Sequence, residues 1–110
     1  LLSTGFPYDV STSSRNNISH WIQFLHQAQA VRRDGSAALN LSYVACGRFD
    51  GHWEMKLNPW DMAAGVLIVR EAGGTVTTFD GGPFSIFGDE ILASNGIIHQ
   101  GMIDALKEGR

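Results

Sequence analysis

Residues 53–65 read Trp-Glu-Met-Lys-Leu-Asn-Pro-Trp-Asp-Met-Ala-Ala-Gly, and this stretch concentrates the side chains able to do chemistry. Two carboxylates, Glu54 and Asp61, lie seven residues apart, and Asp61 opens an apolar run. An ionised carboxylate in apolar surroundings needs compensation. Asp61 could accept from the free N–H groups at its own helix start. It could equally coordinate a cation whose other oxygen ligands come from elsewhere. Spacing alone leaves both readings open. Ser36 has the same ambiguity, as an N-cap or as part of an anion-binding helix start. The other reactive types are scattered. Cys46, the single cysteine, sits in the apolar run 41–46 and is expected to be a buried structural thiol. One cysteine allows no intrachain disulfide and no multi-cysteine metal site. His20, His26, His52 and His99 form no closely spaced pair and are expected at the surface or at helix caps. Trp53 and Trp60 flank the carboxylates and are expected to fill core.

These residues must be held by alternating strands and helices. Leu1–Thr4 reads as a short buried strand ending at Gly5-Phe6-Pro7. Ile18, Trp21, Ile22 and Leu25 fall at i, i+3, i+4 and i+7, an amphipathic helix stripe with serines upstream as caps. Strands are predicted at 30–33, 49–55, 75–79 and 91–94, and helices at 37–46, 61–72 and 98–106. Pro59 bars the third helix from extending upstream, and Gly73-Gly74 ends it. That helix is apolar nearly all round and is expected to be buried; in the last one Met102, Ile103 and Leu106 face inward. The pattern predicts an α/β layered sandwich, with apolar strands such as 90–94 in a central sheet covered on both faces.

Charged residues are 17% of the 110, against roughly 25% in ordinary domains. A chain this small should be surface-rich, so the deficit predicts a face covered by a second copy or by further polypeptide. The chain starts without Met, directly in a strand, and is expected to be part of something larger. A net charge of −3 with eight Lys and Arg excludes a general nucleic-acid backbone binder. No apolar run reaches the roughly 18 residues of a membrane span, and both Asn-x-Ser sequons are read as chance. The lone cysteine and the absence of a secretory leader predict a cytoplasmic location, or an organelle if a targeting segment precedes this chain.

Pro59-Trp60-Asp61-Met62-Ala63-Ala64-Gly65, followed by Glu71-Ala72-Gly73-Gly74, resembles the C-terminal signature of the inositol monophosphatase family, W-D-x-A-[AG]-[GA] and then E-A-G-G. Gly35-Ser36-Ala37-Ala38-Leu39-Asn40-Leu41 resembles its G-[ST]-A-A-x-[DN]-[LM] helix, and Gly51-His52-Trp53-Glu54 its D-G-[FY]-[WY]-E strand. Residues 1–8, 80–84 and 93–95 match further segments, so the likeness runs through the whole chain. It implies a mixed sheet flanked by helices on both faces, and part of a Mg²⁺-dependent phosphomonoesterase acting on inositol monophosphate or a similar polyol phosphate. By the resemblance Asp61 is a metal ligand and Glu54 accepts hydrogen bonds from substrate hydroxyls. Gly35, Ser36 and Ala37 contact substrate, and Arg32 or Arg33 stands where members often carry a basic residue near it.

The departures matter as much. The family's D-P-[ILV]-D-G-T motif and its upstream G-E-E segment are absent, so Asp61 is the only metal carboxylate that matches. One carboxylate cannot hold Mg²⁺, which shares its octahedron among several oxygens. The expectation is therefore a single α/β domain over 1–110, the C-terminal subdomain of such a phosphatase, lacking the N-terminal catalytic half and inactive alone. Its partners would be that half or a second copy. A non-catalytic alternative is a self-associating scaffold, or a pseudoenzyme binding phosphorylated ligands through Ser36 and Glu54. Asp34, charged where members carry a small or apolar residue, and Asn58, replacing a frequent Lys, bear on substrate choice.

Overall fold

The computed structural model describes residues 1–109. Nine elements follow in order: β1 (Leu2–Thr4), α1 (Ile18–Gln27), β2 (Val31–Arg32), α2 (Ala37–Ala45), β3 (Gly51–Met55), α3 (Pro59–Glu71), β4 (Thr75–Thr77), β5 (Glu90–Ser94) and α4 (His99–Glu108). They form one mixed sheet of order β2-β1-β3-β5-β4. β1 runs parallel to both β2 and β3, and β5 runs antiparallel to β3 and β4. The predicted strands and helices are all present, each trimmed or extended by a few residues.

Alternation along the strands divides the interior into two cores. Leu2, Trp53, Met55 and Leu92 point to one face, where α1 and α4 cover them with Phe24, Met102 and Leu106. Ile91, Ala93 and Val76 point to the other face, under Leu41 and Val44 of α2 and Met62, Val66 and Val69 of α3. A sheet covered on both sides explains why β5 reads as an unbroken apolar run. Gly65 lets α2 and α3 approach closely, since a Cβ there would sit 2.8 Å from the Cβ of Leu41. At the end of α3 the two glycines do different work. Gly73 takes φ +89°, and Gly74 lies where a Cβ would meet the Ser94 carbonyl at 2.7 Å.

Several expectations are corrected. The aliphatic stripe of α1 faces outward: Ile18, Ile22 and Leu25 are 45%, 51% and 54% exposed. The helix instead buries His20 and Phe24. Phe24 lies against Trp53 with ring centroids 4.1 Å apart, and His20 meets Phe79 edge-on at 5.4 Å. Trp21, the fourth residue of the stripe, is partly buried against Phe6, with ring centroids 5.6 Å apart. α3 is only half covered, with Leu67 and Ile68 exposed. Cys46 is exposed because α2 ends there and its last turn leaves the core. Three of the four histidines are buried, and only His26 is at the surface. Trp53 is core, as expected, whereas Trp60 is exposed at the first turn of α3. Among the described residues no helix is long and apolar enough to cross a membrane.

His99 ties the start of α4 to the sheet. Its Nδ1 lies 2.7 Å from the Ser94 hydroxyl and its Nε2 2.8 Å from the Thr77 hydroxyl. Burial lowers its pKa from 6.5. The folded chain therefore binds this proton less readily than the unfolded chain, and its stabilising share is complete above pH 6.5. That share is lost as pH falls below this value toward the depressed folded pKa. Urea denaturation at pH 7.5 and 5.5 should show lower stability at the acid end, with a smaller difference between the two pH values in His99→Gln.

Candidate functional site

Three parallel strands, β2, β1 and β3, deliver their carboxyl ends to one edge of the sheet. From β1 the chain goes to one side, through α1 on one face, to reach β2. From β3 it goes to the other side, through α3 on the opposite face, to reach β4. Such a reversal opens a crevice at the strand ends. A cleft of about 360 Å³ lies there, with Gly5, Arg33, Ser36, Glu54, Trp60 and Asp61 among its lining. Both α2 and α3 begin at this cleft, so the positive ends of two helix dipoles face the same space.

Each expected site residue can be placed. Glu54 is the fourth residue of β3, and its side chain is only 12% exposed. Its Oε1 lies 3.0 Å from His52 Nε2, and its Oε2 packs over Gly5, where a Cβ would come within 2.5 Å. Asp61 sits in the first turn of α3 and accepts, through Oδ2, a 2.9 Å hydrogen bond from the Asn58 N–H. The capping reading of Asp61 is thus realised with one oxygen. Ser36 caps α2, its hydroxyl accepting from the Leu39 N–H at 3.2 Å. Gly35, at φ +88°, and Ala37 flank it on the cleft wall. Of the two arginines, Arg33 lines the cleft and lies 5.2 Å from the centre of the Phe6 ring. Arg32 points away and holds Asp34 through Nε and Nη2, both at 3.1 Å. The unusual charge of Asp34 therefore has its counter-ion two residues upstream.

Other residues were not singled out from the sequence. Ser3, His52 and Gly5 surround Glu54, with the Ser3 hydroxyl 2.8 Å from His52 Nδ1. The i, i+2 spacing of His52 and Glu54 on a strand was the available signal. Ser3 is brought in only by the β1–β3 register. Lys56 lines the cleft wall at φ +59°, and its ammonium reaches Asp9 and Ser13 of the loop after β1. Asn40 of α2 lines the cleft wall too, and neither polar atom of its buried amide has a partner among the described residues.

These donors do not by themselves make a magnesium site. Among the described residues no three His, Cys, Asp or Glu side chains come together. The cleft offers Asp61 with one oxygen committed to its helix, and Glu54 committed to His52. An octahedral, oxygen-rich shell needs more.

The contact of Gly5 with Glu54 is testable. Gly5→Ala should destabilise the chain by about 1–3 kcal/mol in urea denaturation, because the new methyl displaces a nearly buried carboxylate. Glu54→Ala should relieve that clash, so the double variant should lose less than the sum of the two single losses.

The profile of the Inositol monophosphatase family matches residues 2–110. An inositol-1-monophosphatase of Synechocystis is 53% identical over 106 residues, which is 96% of this chain and 37% of that protein. The chloroplastic phosphatase IMPL1 of Arabidopsis thaliana is 45% identical over 96% of this chain and 29% of its own length. Among solved structures, inositol monophosphatase from Anabaena (Nostoc) superposes with a TM-score of 0.94 at 48% identity, over 97% of this chain and 42% of that one. The chain thus spans well under half the length of these relatives, and it belongs to the inositol monophosphatase family.

Proposed function

We propose that this chain forms the substrate-binding side of a phosphomonoesterase acting on inositol monophosphate or a similar polyol phosphate. The observation that carries the reading is the convergence of Glu54, Asp61, Ser36 and Arg33 on one cleft at the strand ends, in a chain of this family. Glu54 is an acceptor-only carboxylate, suited to hydrogen bonds from neighbouring hydroxyls of a polyol. Arg33 and the starts of α2 and α3 supply positive potential for a phosphate. Gly35 and Ala37 keep the wall beside Ser36 low, so that a ring can approach the backbone.

Asp61 is assigned as one ligand of a Mg²⁺ ion, an ion that would neutralise phosphate charge. The remaining ligands are assigned to polypeptide beyond this chain, corresponding to the unmatched part of the longer relatives. This makes 1–110 the C-terminal subdomain of a larger enzyme and inactive alone. Asn40 supports an incomplete cleft, since a buried amide without partners costs about 1–3 kcal/mol until something binds it. Phosphate release from inositol 1-phosphate with Mg²⁺ should be absent for the chain alone. It should appear when the unmatched portion of the Synechocystis relative is added, and Asp61→Asn should abolish it. Glu54→Gln should then lower kcat/KM roughly 10–100-fold, the worth of hydrogen bonds to a charged acceptor. Release by the chain alone would overturn the assignment of the missing ligands.

The exposed aliphatic residues of α1 and α3 support a second reading, in which copies of the chain associate as a non-catalytic scaffold or bind phosphorylated ligands without turnover. Sedimentation velocity over a hundredfold concentration range separates the two. A scaffold predicts a dimer indifferent to Mg²⁺, and a subdomain awaiting its other half predicts weak, non-stoichiometric association.

A further inference from the structure

We propose that His52 is a positioning residue for Glu54, and that Ser3 sets the state of the imidazole that does it. This rests on the reading of Glu54 as the acceptor for substrate hydroxyls. The three side chains form a line across the β1–β3 ladder, where Ser3 is paired with His52 in register. Ser3 Oγ lies 2.8 Å from Nδ1, and Nε2 lies 3.0 Å from Glu54 Oε1. The imidazole is fully buried and the carboxylate nearly so.

The chemistry of the partners assigns the proton. A carboxylate only accepts, so Nε2 carries the hydrogen and donates to Oε1. In a neutral ring Nδ1 is then bare and accepts from the Ser3 hydroxyl. Both ring nitrogens are satisfied by a neutral ring in one tautomer. Glu54 otherwise has three rotatable bonds with which to leave its place. With Oε1 on His52 and Oε2 against the bare Cα of Gly5, one orientation remains. The acceptor is therefore fixed before a ligand arrives, which removes an ordering cost from binding. His99 also bridges two groups, but both are hydroxyls and neither lines the cleft.

Imidazole ¹⁵N spectra of the 110-residue chain near neutral pH should show His52 protonated at Nε2 and bare at Nδ1. Glu54→Ala should replace that single state with a tautomer mixture. A ring protonated at Nδ1, or averaging in the unsubstituted chain, overturns the proposal. Inositol 1-phosphate with Mg²⁺ is then titrated in, read through the backbone resonances of residues 33–37 and 54. His52→Phe, similar in size but without a donor, should weaken binding about tenfold. His52→Gln, whose amide nitrogen can replace Nε2, should recover most of the loss, with thermal melting confirming that both variants fold. Equal binding by the Phe variant overturns positioning and leaves the polyol-phosphate reading intact. Where the unsubstituted chain does not bind, the titration is repeated with the unmatched portion of the Synechocystis relative present; failure there sinks that reading, and the imidazole spectra then judge the positioning alone.

Discussion

The parallel register of β1 against β3 is the constraint on which the site depends. The ladder sets Leu2 beside Gly51, Ser3 beside His52 and Thr4 beside Trp53. Each pair then has a definite face. Leu2 and Trp53 go to the α1/α4 core, while Ser3 and His52 meet on the other side. Gly51 is part of the same fit, because a Cβ there would fall 2.4 Å from the Met102 sulfur and 3.2 Å from Leu2. A slip of one residue would turn every side chain of β1 to the wrong face. It would also remove Gly5 from beneath Glu54 and Ser3 from beside His52. The Thr4 hydroxyl adds a cross-strand lock, donating to the Trp53 carbonyl at 2.7 Å. Core packing and site geometry are thus consequences of one alignment.

What the sequence made legible follows from the range of the forces involved. The run 90–94, the Pro59 start of α3 and the glycine stop at 73–74 are local signals, and each stands in the structure as read. Asp61 as a cap was also legible, because the cap and its donor lie three residues apart. The misreadings needed long-range information. The α1 stripe looked like a core face, yet orientation was settled by Phe24 finding Trp53 from 29 positions away in the chain. The histidines gave no close pair with one another; each has one partner near in sequence, Glu54 for His52 and Ser94 for His99, but the second, Ser3 and Thr77 respectively, lies on a distant strand. Cys46 was judged by the apolar residues before it, whereas its exposure comes from the helix ending at Ala45. The carboxylate constellation was recognised by resemblance, while its support by Gly5 and His52 had to wait for the fold.

The low charge of the chain acquires a physical setting in the two outer layers. Ile18, Ile22 and Leu25 lie on α1, Leu39 on α2, and Leu67 and Ile68 on α3, all well exposed. These helices cover opposite faces of the sheet, so the apolar surface is not a single patch. Burying an aliphatic side chain is worth about 1.5–3 kcal/mol, which is large beside the net stability of a domain this size. A chain leaving these residues in water forgoes that stabilisation. The relatives it matches are more than twice as long, and further polypeptide packed on either layer would recover part of it.

Lys56 indicates how the cleft wall is kept in shape against a local penalty. It stands immediately after β3 in the left-handed region, at φ +59°, where a side chain costs roughly 1–2 kcal/mol. Its ammonium bonds to Asp9 and Ser13 are partly in solvent, and such an ion pair contributes about 0–1 kcal/mol. The side chain alone therefore does not offset the strain. The backbone does more, because the Lys56 N–H donates to the Asp89 carbonyl at 2.8 Å and lies 3.1 Å from its carboxylate. Asp89 in turn pairs with Arg15, beyond the same loop that Lys56 grips through Asp9. The strained residue joins three segments: the loop after β1, the end of β3 and the approach to β5. Tyr8 and Pro7 of that loop line the cleft on one side, and Leu57 and Asn58 line it after Lys56. Relaxing residue 56 to ordinary strand geometry would redirect the chain before Asn58, and with it the start of α3 that carries Asp61. The left-handed turn is thus the step that brings the two carboxylates, one on a strand and one on a helix, to the same cleft.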